Sequence, residues 1–336
     1  MPTRTGRRGS FRYRDARARL IRDAATLARI EALVIPPAWK DVWISSRPGA
    51  KLQATGHDAA GRKQYLYHPA FRAAQEEAKY DSLIRFGEHL PALRAAMAEH
   101  LNRDELDRER VSAVALQLIS LGWFRVGSER YARDGTYGVT TLLRRHVRVH
   151  GSHVKLAFRA KAGIQVRTEL VDAELAAAIR GLLAVRPGAR VFKFRWEGDL
   201  HNLTSKRLNE YVKLYLGEQF SAKDFRTWGG TLLAAIYFAE RAAHTGVPET
   251  EAAQKREVAA VMRLVAEKLG NTPAVCRASY VAPAVVEQYL AGRTIEDFRP
   301  RHLRVVKARD LGLSPEEAAM LSLLRSWRIR QARKAA

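Results

Sequence analysis

The spacing of apolar residues changes near residue 69, and this change constrains the fold more than any other feature. Three short segments within residues 39–67 (WKDVWI, LQAT and KQYLY) are β-prone and separated by turn-forming residues, a pattern typical of a small antiparallel sheet. From Pro69 onward, apolar residues mostly recur every three or four positions, which is the period of an amphipathic helix. The sequence therefore predicts an α+β protein with a small β-rich N-terminal domain and a larger, mainly α-helical domain.

The boundary between these domains is expected where the first long helical pattern is interrupted. That pattern begins at Pro69 and extends to about Leu90. Because proline lacks an amide hydrogen and crowds the preceding helical turn, Pro91 is expected to end the helix. We therefore expect the N-terminal domain to comprise residues 1–90 and the helical domain residues 91–336.

The first part of the chain precedes the predicted sheet. Residues 1–16 are rich in arginine, glycine and serine and are expected to form a mobile basic arm. A short helix is expected over residues 17–33, because Pro36 and Pro37 cannot continue it.

Two alternating segments interrupt the helical pattern in the second half of the chain. The apolar residues that face one way are Val154, Leu156 and Phe158 on the first segment and Ile164 and Val166 on the second. A four-residue turn separates the segments, which predicts a β-hairpin with Lys161 at its tip. Further helices are expected near residues 172–185, 204–216, 227–244 and 251–269, and a final helix is expected to start at Ser314.

The charge of the chain points to a polyanionic partner. There are 58 Lys and Arg residues against 35 Asp and Glu, a formal net charge of +23. A protein that binds a membrane surface would concentrate this charge in one amphipathic helix, whereas here it is spread along the whole chain. This distribution favours nucleic acid as the partner, and no apolar run is long enough to predict a membrane span.

Several classes of site are excluded by the residues present. Cys276 is the only cysteine, so a disulfide framework is impossible. No Cys/His spacing resembles a metal site, and no phosphate-binding loop of a nucleotide-dependent enzyme is found. We therefore expect no metal, no nucleotide and no other cofactor.

Four short segments together resemble the active site of type IB DNA topoisomerases of the poxvirus and bacterial kind. They are residues 122–131 (GWFRVGSERY), 158–163 (FRAKAG), 223–228 (KDFRTW) and 270–280 (GNTPAVCRASY). Residues 35–39 (IPPAW) and 56–69 (GHDAAGRKQYLYHP) also resemble the N-terminal domain of this family. The resemblance covers residues 30–295 and implies a C-shaped clamp around duplex DNA.

The resemblance implies a catalytic role for five residues. Tyr280 would attack the phosphodiester, because a phenol holds the phosphate as an ester and still leaves when the strand is rejoined. Arg125 and Arg226 would stabilise the charge on the phosphate oxygens, and Asn271 would add a neutral hydrogen bond. Lys161 would protonate the departing 5′ oxygen. Many relatives have histidine where this chain has Asn271. Because asparagine cannot accept or give up a proton at neutral pH, proton transfer is not expected there.

The same resemblance implies contacts with duplex DNA. Tyr65 and Tyr67 share one face of a strand, and together with Gln64 they would enter the major groove. Tyr131 and Lys223 match residues that hold phosphates beside the cleaved bond. The expected protein is a monomeric, cytoplasmic, nucleoid-associated enzyme.

Two other functions remain open from the sequence. A tyrosine recombinase uses a similar catalytic set, although it usually has histidine where this chain has Lys223 and carries a helical DNA-binding domain in place of the sheet. A non-catalytic DNA-binding protein would fit the charge equally well. Tyr289, in an ordinary amphipathic helix, is the rival nucleophile.

Overall fold

The computed structural model describes residues 3–6, 10–299 and 312–335. The chain forms two compact units, Met1–Asp81 and Ser82–Ala336. The first contains a β-sheet and the second is mainly helical, which confirms the predicted α+β class. Within the described ranges, no helix is both long and apolar enough to cross a membrane.

The first unit is built on a five-stranded antiparallel sheet. Its strands are β1 (Thr3–Thr5), β2 (Arg12–Arg14), β3 (Lys40–Ile44), β4 (Leu52–His57) and β5 (Lys63–Tyr67), in the order β2-β1-β3-β4-β5. Helix α1 (Ala24–Ala32) begins after Asp23, whose side chain accepts a hydrogen bond from the Thr26 amide. The helix packs on one face of the sheet through a core of Ile30, Val42, Ile44 and Ala54.

The prediction of a mobile arm over residues 1–16 is wrong for the described residues 3–6 and 10–16. Arg4 lies in strand β1, and its guanidinium donates hydrogen bonds to the main-chain carbonyls of Pro36 at 3.1 Å and Trp39 at 2.5 Å. These bonds hold the β1–β2 hairpin against the rest of the unit. Residues 1, 2 and 7–9 lie outside the described residues, and α1 begins later than the predicted residue 17.

Helix α2 (Pro69–Leu101) contains Pro91 in its interior, so the predicted helix end near Leu90 is wrong. A proline removes one helical hydrogen bond but does not end a helix whose flanking turns are held by packing. Leu90 and Leu93, on either side of Pro91, are both fully buried. The two compact units separate inside this helix, at Asp81 and Ser82, whereas the domain boundary at residues 90 and 91 stays a prediction.

The second unit contains nine further α-helices and two small sheets in its described part. The helices are α3 (Arg108–Gly122), α4 (Glu129–Arg133), α5 (Ala173–Ala184), α6 (Ser205–Leu216), α7 (Asp224–Thr245), α8 (Glu251–Leu269), α9 (Pro273–Ser279), α10 (Pro283–Leu290) and α11 (Pro315–Ala335). The strands are β6 (Val147–His150), β7 (His153–Arg159) and β8 (Gln165–Val171) in one sheet, and β9 (Lys193–Trp196) and β10 (Asp199–Asn202) in the other. The predicted helices and the predicted hairpin, now β7–β8, are confirmed; β6, β9 and β10 were not predicted.

The start of α11 has the predicted capping arrangement. Ser314 Oγ accepts a hydrogen bond from the Glu317 amide at 3.2 Å, and Glu317 Oε2 accepts one from the Ser314 amide at 2.9 Å. Glu317 is only 5% exposed and also binds Arg94 on α2 and Trp228 on α7. These contacts attach α11 to the helix whose first turn carries Arg226.

Candidate active site

The loop after α3 places Arg125. Trp123 ends the helix in the left-handed conformation, with φ of 49°. The Arg125 carbonyl accepts a hydrogen bond from the Val139 amide at 2.9 Å, and the Val126 carbonyl accepts one from the Thr140 amide at 2.7 Å. Gly138 permits this contact, since a Cβ there would lie 2.5 Å from the Arg125 carbonyl oxygen. The backbone that carries the guanidinium is therefore fixed on both sides.

Arg226 lies in the first turn of α7 and is only 4% exposed. Its guanidinium donates hydrogen bonds to the main-chain carbonyls of Trp123 and, at 2.8 Å, Leu269. The guanidinium carbon is 5.1 Å from the centroid of the Tyr280 ring, a cation–π distance. Arg226 thus connects the ends of α3 and α8 to the predicted nucleophile.

Asn271 follows α8, which ends at Gly270 in the left-handed conformation. Arg125 Nη2 donates hydrogen bonds to Asn271 Oδ1 and, at 3.3 Å, to the Gly270 carbonyl. Burial and the charge of neighbouring Arg226 lower the pKa of Arg125 from its ordinary value. The predicted phosphate-binding residues Arg125, Arg226 and Asn271 are therefore brought together.

The two guanidiniums are held by backbone carbonyls rather than by carboxylates. The carbonyls of Leu269 and Gly270 stand at the C-terminus of α8, where the helix carries partial negative charge. In the described part of the chain, neither Arg125 nor Arg226 forms an ion pair. Asp224, two residues before Arg226 in the chain, instead accepts hydrogen bonds from Ser221. This arrangement orients the arginines without neutralising them, so both can still bind an anion.

Tyr280 directly follows the short helix α9 and is half-buried. Its amide donates to the Cys276 carbonyl at 2.9 Å, and its own carbonyl accepts a hydrogen bond from Thr231 Oγ1 at 3.3 Å. Gly230 lies against the Tyr280 main chain, since a Cβ there would be 2.7 Å from the Tyr280 carbonyl oxygen. Among the described residues, the Tyr280 hydroxyl has no hydrogen-bond partner.

Lys161 stands exposed at the tip of the β7–β8 hairpin, where Ala162 and Gly163 have positive φ. Its ammonium nitrogen lies 5.7 Å from the centroid of the Tyr131 ring. Lys161, Arg125 and Tyr131 line one cavity of about 210 Å³. The structure therefore places the predicted general acid across a cavity from Arg125.

The predicted DNA contacts fall in both units. Tyr131 is 40% exposed, and Lys223 is exposed immediately before α7. In the first unit, Tyr65 and Tyr67 share a face, as predicted, and their rings stack with centroids 6.2 Å apart. Gln64 points to the other face, where its Nε2 donates to Asp58 at 2.9 Å.

The rival nucleophile, Tyr289, is fully buried. Its ring stacks on Phe238 with centroids 4.4 Å apart, and burial raises the pKa of its hydroxyl. Tyr289 therefore belongs to the core. Cys276 is likewise fully buried, and burial raises the pKa of its thiol, as expected for a small core residue.

The sequence did not indicate which residues of α7 pack against Tyr280 and Trp123 and support the site. Thr231 and Gly230 contact the main chain of Tyr280, and Gly229 lies against the indole of Trp123. The consecutive glycines in the interior of a helix were the available signal, because such glycines usually permit a close approach. Thr231 offered no signal, since threonine is common in helices.

The arrangement defines a class of enzyme. A guanidinium beside a phenol, with a second guanidinium bonded to an amide, suits the transfer of a DNA phosphodiester to tyrosine. Residues 68–298 match the model of the eukaryotic DNA topoisomerase I catalytic core, and residues 10–58 match that of the bacterial DNA topoisomerase IB N-terminal domain. DNA topoisomerase 1B of Acanthamoeba polyphaga mimivirus is 30% identical over 272 residues, which cover 78% of this chain and 80% of the viral protein. DNA topoisomerase 1B of vaccinia virus (strain Copenhagen) is 22% identical over 241 residues, 70% of this chain and 72% of that protein. The chain belongs to the type IB DNA topoisomerase family, and its substrate is DNA.

Proposed function

We propose that Tyr280 is the nucleophile of this topoisomerase. In this proposal the enzyme cuts one strand through a 3′-phosphotyrosyl intermediate, lets the duplex rotate about the intact strand, and rejoins the ends. The energy of the broken bond is kept in the phosphotyrosine, so that neither ATP nor a metal ion takes part. Torque in the DNA drives the rotation, and supercoils of both signs should be removed.

The observation that carries the proposal is a pair of buried hydrogen-bond donors. Arg226 Nε and Asn271 Nδ2 are buried and have no oxygen or nitrogen partner among the described residues, and the Cys276 thiol near Asn271 is only a weak acceptor. A buried donor without a partner costs about 1–3 kcal/mol, so these two donors, one on the arginine beside Tyr280 and one on the amide bonded to Arg125, call for an acceptor. The non-bridging oxygens of a phosphodiester supply such acceptors. Arg125, in contact with Asn271, would then bind the same phosphate.

The charges around Tyr280 support the same assignment. A phosphoryl transition state carries additional negative charge on its non-bridging oxygens, and fixed donors stabilise this charge without reorganising. Arg125 and Arg226 are held by carbonyls and keep their full charge for the phosphate. Lys161, across the cavity from Arg125, would give a proton to the departing 5′ oxygen. Tyr131, on the same cavity, and Lys223, at the start of α7, would hold the neighbouring phosphates.

The nucleophile can be tested with a matched pair of variants. Tyr280→Phe removes the attacking oxygen and should abolish both the covalent DNA adduct and plasmid relaxation, assayed with EDTA and without ATP. Noncovalent DNA binding should change less than about twofold. Tyr289→Phe is the control: it removes a buried hydroxyl that has no partner in the described structure, so activity and stability should be retained. A covalent adduct formed by Tyr280→Phe would contradict the proposal.

We also propose that the enzyme acts as a monomer. The contacts among Arg125, Arg226, Asn271 and Tyr280 all form within one chain, which supports a site complete in a single subunit. A mixture of the Arg226→Ala and Tyr280→Phe variants should then remain inactive. Relaxation by the mixture would show that two chains share one site.

The clamp and the location of the enzyme are further proposals. The presence of both family domains in one chain supports a clamp that contacts two sides of the duplex. Hydroxyl-radical footprinting of Tyr280→Phe on DNA should show protection of both faces at the same base pairs, and protection of a single face would contradict a clamp.

The net charge of +23 supports a cytoplasmic enzyme associated with the nucleoid, which a fluorescent fusion would test by colocalisation with DNA.

A further inference from the structure

The strand register of the first unit defines a surface that the active site does not include. Side chains of directly opposed residues in an antiparallel sheet lie on the same face. The register therefore places five residues in one row on the face opposite the core, which we call the outer face: Arg14, Thr3, Trp43, Thr55 and Tyr65. No carboxylate occupies this row.

The two ends of the outer face differ in chemistry. At the β5 end, the exposed Tyr65 and Tyr67 rings stack with an angle of 13° between their planes. The ammonium group of Lys63 lies 5.8 Å from the Tyr65 ring. At the β2 end, Arg12 and Arg14 are both exposed and point to the same side, two residues apart. Aromatic side chains suit DNA bases, and guanidiniums suit phosphates.

The β2 end is fixed relative to the β5 end. Arg4, on the opposite face of the hairpin, donates to the Pro36 and Trp39 carbonyls and lies 4.2 Å from the centroid of the Phe11 ring. Arg14 donates one hydrogen bond to the Ala18 carbonyl at 2.8 Å, which leaves most of its donors available. Arg12 forms no ion pair within the described ranges.

The sheet is wider than the major groove of DNA, so its two ends cannot both enter one groove. Four strand spacings of about 4.8 Å place β2 about 19 Å from β5. The major groove of B-DNA is only about 12 Å wide, so side chains on β2 lie beyond a groove entered from β5. We propose that the outer face binds duplex DNA as one surface, with Arg12 and Arg14 on the backbone phosphates that border the groove contacted by Tyr65 and Tyr67. This rests on the proposed topoisomerase function and on the contacts with DNA that the sequence predicts for Tyr65 and Tyr67.

The test compares two double variants made in the full-length Tyr280→Phe protein. Arg12→Gln/Arg14→Gln should lower the slope of log affinity against log salt by about 1.8, because each lost phosphate contact contributes about 0.9. Between 50 and 200 mM salt, its affinity should then fall about 12-fold less than that of the parent protein. Preference among DNA sequences should be unchanged. Ethylation-interference signals at the bordering phosphates should disappear.

Control variants make the result interpretable. Lys255→Gln/Arg256→Gln removes two exposed charges from α8, about 20 Å along the helix from Leu269, and should leave the interference pattern intact. Arg12→Lys/Arg14→Lys keeps both positive charges and should restore the salt slope. This result would show that the Gln variant acts through lost charge and not through a disturbed β1–β2 hairpin. An unchanged slope and interference pattern in the Arg12→Gln/Arg14→Gln protein would overturn the proposal. When Tyr280 is restored, the Arg12→Gln/Arg14→Gln enzyme should still form the covalent adduct at saturating DNA. If the enzyme without any substitution forms no adduct, the proposed nucleophile is refuted, whatever the outcome for Arg12 and Arg14.

Discussion

Thr231 Oγ1 donates a hydrogen bond to the main-chain carbonyl of Tyr280 at 3.3 Å. The same oxygen accepts a hydrogen bond from the Ala282 amide at 3.1 Å, and Thr231 is fully buried. Thr231 lies five residues after Arg226 in helix α7. One rigid helix therefore positions both a phosphate-binding guanidinium and the backbone of the proposed nucleophile.

Replacement of Thr231 by valine should separate catalysis from DNA binding. Valine has a similar shape but cannot hold the Tyr280 carbonyl or the Ala282 amide, so the phenol would lose its fixed approach to phosphorus. We expect single-turnover adduct formation to slow by about tenfold, equivalent to about 1.4 kcal/mol, with DNA affinity unchanged. Thr231→Ser should restore most of the rate because it keeps the hydroxyl. Full activity of Thr231→Val would show that the two bonds do not position Tyr280.

A methyl group at Gly230 should displace the nucleophile. The added Cβ would lie 2.7 Å from the Tyr280 carbonyl oxygen and 3.1 Å from its Cβ, so the tyrosine must move. Because misplacement by about 1 Å can reduce a rate 100-fold, we expect Gly230→Ala to lower the rate of adduct formation by about 10- to 100-fold. The measurement is rapid-quench cleavage of a suicide substrate.

Gly181→Ala is the matched control for Gly230→Ala. Gly181 is exposed in helix α5, and a Cβ there would meet nothing within 4 Å. Alanine should therefore stabilise the protein by about 0.5–1 kcal/mol through helix propensity alone and leave the cleavage rate unchanged. Equal cleavage rates for the two variants would show that the approach of Gly230 to Tyr280 has no catalytic importance.

Secondary structure was predictable wherever the apolar period was regular. Val111, Val114 and Leu118 give α3 a buried face, and the alternation of Val154, Leu156 and Phe158 predicted the hairpin that carries Lys161. The strands β1 and β2 were not predictable in this way. Each has three residues without apolar alternation. Strand β1 is held to the sheet by its pairing with β3 and by hydrogen bonds from the Arg4 side chain to main-chain carbonyls, which leave no periodic signal.

The candidate site was predictable in its residues but not in its supports. Its reactive groups lie in four motifs that resemble one family, so Arg125 and Tyr280 could be named from the sequence. The carbonyls of Trp123, Leu269 and Gly270 hold the arginines through main-chain atoms, which any residue type provides. For the same reason the sequence could not reveal that the arginines lack carboxylate partners among the residues that the structure describes. Long-range packing decides such contacts.

The ion pair of Glu317 predicts acid lability of the fold. Burial disfavours ionisation of this carboxyl, but hydrogen bonds and charge from Arg94, with further bonds from Ser314 and Trp228, hold its pKa below the usual value. A carboxyl with a depressed folded-state pKa stabilises the protein above its unfolded pKa, and this contribution is lost as pH falls through the folded value. We expect Glu317→Gln to destabilise the protein by about 3 kcal/mol at pH 7, because Arg94 is left without its partner.

Urea unfolding at several pH values would measure this contribution. The difference in unfolding free energy between the parent protein and Glu317→Gln should shrink as pH falls below about 4.5, the ordinary pKa of a glutamate, towards the lower pKa of Glu317 in the folded protein. Glu316→Gln is the control, because Glu316 pairs with Arg299 at 3.4 Å near the surface and should contribute less than about 1 kcal/mol. A pH-independent difference would mean that hydrogen bonding, rather than charge, accounts for the role of Glu317.

The general-acid role of Lys161 predicts a rescue by substrate chemistry. Lys161→Ala should slow cleavage of ordinary DNA by about 100- to 10,000-fold, the usual contribution of a positioned acid. A substrate with sulfur in place of the bridging 5′ oxygen has a leaving group that departs without a proton, so the variant should cleave it at close to the rate of the parent enzyme. Lys155→Ala is the matched control, since Lys155 is exposed on strand β7 of the same hairpin and pairs with Glu169 at 3.6 Å. It should cleave both substrates normally. If the sulfur substrate fails to rescue Lys161→Ala, the lysine does not supply the proton and acts on the phosphate only by its charge.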